Sequence, residues 1–92
     1  IQGMIHHVDH YGNLISNIDV SLFEKQVGSQ PFKMYIGNTI IRQVLTHPTE
    51  IEDQECYTFK GSSGMMEIGV KGGNASELLS VQKGAAISVV LG

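Results

Sequence analysis

Phe32-Lys33-Met34-Tyr35-Ile36-Gly37-Asn38-Thr39-Ile40-Ile41-Arg42-Gln43-Val44-Leu45 decides the fold class. Two runs rich in β-branched and aromatic residues flank a Gly-Asn pair, and such side chains suit a pleated, half-buried surface. Gly37-Asn38 is a two-residue hairpin signal in the less usual order, joining strands predicted at Phe32–Ile36 and Thr39–Leu45. The pattern continues outward on both sides. Gln2–His10 alternates loosely, which sets Met4, His6, Val8 and His10 on one face of a strand and His7 and Asp9 on the other. Tyr11-Gly12-Asn13 breaks that strand with turn residues, and Leu14–Ile18 follows as a second short strand. Cys56–Phe59, Met65–Val70 and Ala85–Leu91 are further strands, the first two separated by Gly61-Ser62-Ser63-Gly64. Ser21-Leu22-Phe23-Glu24 reads as a capping box for a short helix, with Val20, Phe23 and Val27 toward the core. Asn74 caps Ala75–Leu79, with Glu77 at the third helical position. An open sheet of this length would leave edges to cover, so the expected fold is mainly β: a small β-barrel with one or two short helical turns.

Composition agrees. Ninety-two residues make one domain, and 41% hydrophobic residues suffice for its core. Only 16% are charged and 11 are glycine, which argues against salt-bridged helical bundles. The net charge of −3, with five scattered lysines and Arg42, supplies no basic cluster for nucleic acid. The apolar runs fall far short of the roughly 20 residues of a membrane-spanning helix, and no secretory signal opens the chain. Cys56 stands alone, which fits a reducing, cytoplasmic setting. The chain opens at Ile1-Gln2-Gly3 and stops within Ala85–Leu91, so residues 1–92 are expected to be a domain of a longer chain.

The usual chemical signatures are missing. His6 and His10 on a strand would lie roughly 13 Å apart at ~3.3 Å per residue, too far for one ion. His7 and Asp9 share a face without a third ligand nearby, and His47 could join only through the fold. No metal site is expected. Cys56, Ser62 and Ser63 sit in no nucleophile elbow, and Lys71-Gly72-Gly73 is no phosphate loop. The acidic stretch Glu50–Glu55 lacks EF-hand spacing and reads as a solvated face. A biotinyl- or lipoyl-type carrier would need a lysine at a hairpin tip, and Lys60 and Lys71 are badly placed for it.

Two segments remain. Asp9-His10-Tyr11-Gly12-Asn13-Leu14-Ile15-Ser16-Asn17-Ile18 places an acid, an aromatic and an amide around a glycine bend. Its plain structural reading is a polar turn in which Asp9 and Asn13 satisfy their own backbone. Gly61-Ser62-Ser63-Gly64 precedes Met65-Met66-Glu67-Ile68-Gly69-Val70, and its plain reading is a flexible turn. Together with Gly73-Asn74-Ala75, in this order and spacing, the two segments resemble the C-terminal domain of the S-adenosyl-L-methionine (SAM) hydroxide adenosyltransferase family. SAM-dependent fluorinases and chlorinases are relatives of that family.

The resemblance implies an enzyme that splits SAM into adenosine and methionine, water or hydroxide attacking C5′ of the ribose. It implies a site shared between a larger N-terminal α/β domain and the C-terminal barrel of a neighbouring subunit in a homotrimer. The water-activating groups would then lie outside this chain, leaving no catalytic residue within it and SAM as substrate rather than cofactor. By the same resemblance Asp9 meets the methionine ammonium and Ser62 the carboxylate, with Ser63 nearby. Tyr11 lies against the adenine and Asn13 hydrogen-bonds a purine nitrogen. Backbone groups near Val70 and Gly72 meet the base edge. This sequence departs from the family at three points: Gly61 and Lys71 each replace a common Asn, and Ser63 stands where halogenating relatives carry Arg. The last departure favours hydrolysis over halide chemistry. A non-catalytic adenosine- or nucleotide-binding barrel is the rival reading.

Overall fold

The computed structural model describes residues 1–46, 49 and 51–92. His47 and Glu50, the latter at the start of the acidic stretch, lie outside the described residues. The strands are β1 (Gln2–Val8), β2 (Leu14–Asp19), β3 (Phe32–Ile36), β4 (Thr39–Ile41), β5 (Cys56–Lys60), β6 (Met65–Val70) and β7 (Ala86–Leu91). Helix α1 (Val20–Gln26) follows β2, and α2 (Ala75–Leu79) follows β6. The strands pair antiparallel in the order β4-β3-β7-β1-β2-β6-β5. The two outer strands approach each other through a parallel bridge between Val44 and Thr58. There Leu45 N–H donates to the Thr58 carbonyl at 3.0 Å, and Thr58 N–H to the Gln43 carbonyl at 3.1 Å. The sheet is therefore a nearly closed barrel, as the sequence predicts, and this closure protects edges that would otherwise stay unpaired.

Alternation fills the interior. Leu14, Ser16 and Ile18 of β2 point inward, as do Met66, Ile68 and Val70 of β6, and Met34 and Ile36 of β3. The two inward hydroxyls are satisfied: Ser16 Oγ donates to the Met66 carbonyl at 2.6 Å and Thr58 Oγ1 to the Glu67 carbonyl at 2.7 Å. Helix α1 covers one end, its Phe23 packed edge-on against Phe32 with ring centroids 5.3 Å apart. Ala75 of α2 and Val81 complete the core.

Three local expectations change. Strand β4 ends at Ile41 rather than Leu45, because the chain leaves β3 there and runs toward β5 to make the closing bridge. The register of β1 against β2 shifts between Ile5 and His7, a bulge that breaks the predicted alternation. Ile5 is buried while His6 and His7 are both exposed. Helix α1 is capped by Asp19, whose carboxylate accepts from Ser21 N–H at 2.7 Å, and not by a Ser21 box. The Ser21 hydroxyl, and then that backbone bond, hold the Asp19 carboxyl below its ordinary value. At α2 the prediction stands: Asn74 Oδ1 accepts from Glu77 N–H at 3.0 Å.

Candidate functional site

The polar bend after β1 is built by Asp9. Its Oδ1 accepts from the backbone N–H groups of Tyr11 and Asn13, each at 2.9 Å. Its own N–H donates to the Asn13 carbonyl at 3.0 Å, and its carbonyl accepts from Gly12 N–H at 3.0 Å. The plain structural reading of Asp9 is therefore correct for one oxygen. Asn13 is different, since only its backbone takes part in the turn. Gly12, at φ +83°, lets the chain reverse, and its carbonyl accepts from Ser76 N–H at the start of α2. The bend consequently projects Tyr11 outward, 75% exposed and edge-on to His10.

Strand β6 connects this bend to the other predicted residues. Its inward side is core; its outward side carries Glu67 and Gly69. In the row crossing Glu67, His7 of β1 pairs with Ile15 of β2, Ile15 with Glu67, and Glu67 with Phe59 of β5. In the next row Tyr57 of β5 pairs with Gly69, and Asn13 reaches the same glycine from the β2 side. Gly61-Ser62-Ser63-Gly64 is the β5–β6 turn, closed by bonds from Gly61 N–H to the Met65 carbonyl (2.9 Å) and from Gly64 N–H to the Gly61 carbonyl (3.1 Å). Ser62 and Ser63 are exposed on it.

The sequence motifs do not single out Glu67, although it is the one charged residue in the apolar run Met65–Val70. It is only 7% exposed, and its carboxylate occupies the space where a side chain at residue 61 would begin. An Asn at position 61 would collide with it, so Gly61 and Glu67 fit as a pair. Burial raises the Glu67 carboxyl above its ordinary value of 4.5; the negative charge of Asp9 adds to this, and a hydrogen bond with Ser63 opposes it.

The remaining predicted residues lie where β6 ends. The Val70 carbonyl accepts from Gly73 N–H at 3.3 Å, and the Gly72 carbonyl has a long contact of 3.5 Å from Gln54 Nε2. Lys71 turns elsewhere, donating to the Ile51 carbonyl at 2.7 Å. Lys60 pairs with Glu24 of α1, so neither lysine stands at a free hairpin tip. Asn13 and Asp9 lie beside β6, at Gly69 and Glu67, whereas Ser63 precedes this strand and Gly72 follows it, at opposite ends of about 17 Å of chain at ~3.3 Å per residue. Tyr11 and Ser62 project from the two turns that flank it. A cavity of about 400 Å³ lined by Val44, Leu45, Thr46, Phe59 and Lys60 lies at the β4–β5 seam. Among the described residues no three His, Cys, Asp or Glu side chains cluster to hold a metal ion, and no helix is long and apolar enough to cross a membrane.

Comparison with known proteins adds to this geometry. A solved structure of an uncharacterized conserved protein from Thermotoga maritima superposes with a TM-score of 0.82 at 28% identity, covering 97% of this chain and 35% of that one. A conserved hypothetical protein from Thermus thermophilus gives a TM-score of 0.76 at 21% identity, over 97% and 34% of the two chains, a likeness of fold. The chain spans about a third of the length of either. No curated protein matches it. The SAM hydroxide adenosyltransferase C-terminal domain matches residues 3–88, from within β1 into β7 and through both turns of the β6 face. By that match the chain belongs to the SAM hydroxide adenosyltransferase C-terminal domain family.

Proposed function

We propose that this domain is the ligand-binding half of an enzyme hydrolysing SAM to adenosine and methionine, holding the adenine and the methionine moiety at a subunit interface. The observation that carries the reading is the prearranged Asp9 bend beside β6. Two backbone N–H groups fix one carboxylate oxygen, and Oδ2 has no hydrogen-bond partner among the described residues. A fixed carboxylate with a spare oxygen suits the methionine ammonium, a charge-assisted bond of about 1.5–3 kcal/mol. Ser62, exposed on the β5–β6 turn, donates to the ligand carboxylate, with Ser63 beside it. Tyr11 covers the adenine, Asn13 reads a purine nitrogen, and main-chain groups of Val70 and Gly72 meet the base edge.

In the reaction an oxygen of water bonds to C5′ while the C5′–S bond breaks. The electron pair stays on sulfur, which leaves as the neutral thioether of methionine, and the water proton passes to a base. No group of this chain acts on those atoms. The domain contributes position and exclusion of bulk water. The exposed Tyr11 and the exposed Ser62 turn support a site completed by another surface: the N-terminal domain of a neighbouring subunit in a homotrimer. SAM is the substrate, with no cofactor, and the half-buried unpaired Cys56 fits a cytoplasmic enzyme.

The test is chromatographic. The full-length protein incubated with SAM is expected to release adenosine and methionine in equal amounts. Intact SAM alongside calorimetric binding of adenosine would make the domain a nucleotide-binding barrel without catalysis.

A further inference from the structure

Gly69 is the next-to-last residue of β6, at a position where the outer face would ordinarily carry a side chain. A Cβ there would stand 3.0 Å from both Cζ and the hydroxyl of Tyr57, and 3.3 Å from Asn13 Oδ1. A phenol from β5 and an amide from the β1–β2 bend therefore converge from two sides over bare backbone. Glycine within a strand commonly marks such a close approach. Among the described residues the Tyr57 hydroxyl and the Asn13 side chain make no hydrogen bond, and neither is sealed from solvent without a partner. The Tyr57 ring is already held in place, tilted on Phe59 with centroids 5.6 Å apart.

We propose that Tyr57 is a ligand-contacting residue, its hydroxyl hydrogen-bonding the same purine ring that the Asn13 amide reads above Gly69. The inference rests on the assignment of adenine to Asn13. A phenol offers one donor and an acceptor, an amide two donors and a carbonyl, so together they match the mixed edge of a purine. Burial raises the Tyr57 phenol above its ordinary value of 10.0, so the hydroxyl keeps its proton at physiological pH and remains a donor. Because the ring is packed before the ligand arrives, little side-chain freedom is lost on binding.

Calorimetric titration of adenosine into the full-length protein, its Asn13→Ala variant and its Tyr57→Phe variant tests this. Tyr57→Phe keeps the ring and removes one hydrogen bond, so adenosine should bind about three- to tenfold more weakly at an unchanged melting temperature. Wild-type affinity in Tyr57→Phe beside a loss in Asn13→Ala would overturn the inference and leave the adenine assignment standing. Full affinity in Asn13→Ala, or no adenosine binding by the wild type, would remove the assignment and the inference with it. Gly69→Ala serves as a second variant, since its Cβ must push the phenol or the amide aside by a few tenths of an ångström. It too should weaken adenosine, and unchanged binding would count against the proposal.

Discussion

A Cβ on Gly12 would overlap the Asn74 side chain, so the bend carrying Tyr11 and Asn13 sits directly on the N-cap of α2. The Gly12 carbonyl accepts from Ser76 N–H at 3.0 Å, which fixes the two segments to each other. The bend is thus held from within by Asp9 and from outside by the helix start. Order in the bend comes from this double anchoring.

Gly12→Ala should therefore destabilise the domain by about 2–4 kcal/mol, from a strained positive φ together with the overlap. Asn74→Ala should cost about 1 kcal/mol, the worth of an N-cap. Truncating Asn74 also removes the atoms that the methyl group added at position 12 would strike. The double variant should accordingly lose less than the two single losses combined, measured by urea unfolding. Simple additivity would show that the two residues are not in contact.

Asp9 has two tasks that substitution can separate. Asp9→Asn keeps a carbonyl oxygen for the Tyr11 and Asn13 N–H groups but removes the charge. It should weaken SAM binding by about 1.5–3 kcal/mol and leave adenosine, which has no ammonium, nearly unaffected. Asp9→Ala should weaken both ligands because the bend loses its internal acceptor. Equal losses for SAM and adenosine in Asp9→Asn would remove Asp9 from ammonium recognition.

Glu67 makes stability depend on pH. Its carboxyl is raised by burial and then by Asp9, so the folded state binds its proton more tightly than the unfolded state does. The contribution is fully present below the ordinary value of 4.5 and is lost as pH rises through the folded value. Glu67→Gln imitates the protonated form. It should be more stable than wild type at about pH 7, with the difference fading toward about pH 4, as followed by denaturant unfolding at both pH values. A Gln variant less stable at neutral pH would mean that the Ser63 hydrogen bond outweighs burial and repulsion.

The strands were legible because β-branched and aromatic runs end at glycine-containing turns, as at Ile36-Gly37-Asn38-Thr39. Asn74 as a cap was legible because its chemistry is local. The bulge beside His6 was not, since it depends on how β1 meets β2. The passage of β7 between β3 and β1 was likewise beyond local pattern. Asp9, Asn13 and the Ser62 turn could be found because they fall in two short motifs. Glu67 left a trace, a single charge in an apolar strand. Tyr57 left none: its place over Gly69 exists only once β5 and β6 are in register. Asn17, part of the same motif as Asn13, turns out to be structural, its Oδ1 accepting from Met4 N–H at 2.9 Å.

Tyr11 is so exposed that Tyr11→Ala should leave unfolding free energy within about 0.5 kcal/mol of wild type. Adenosine and SAM should both bind more weakly to it. Unchanged adenosine affinity would remove Tyr11 from the base contact.

A crystal structure of the full-length protein with adenosine bound tests the placement of the ligand most directly. The base is expected on the outward face of β6, within hydrogen-bonding distance of Asn13 and covered by the Tyr11 ring. A base seated instead at the β4–β5 seam, against Val44, Leu45 and Phe59, would contradict the assignment of this face to SAM.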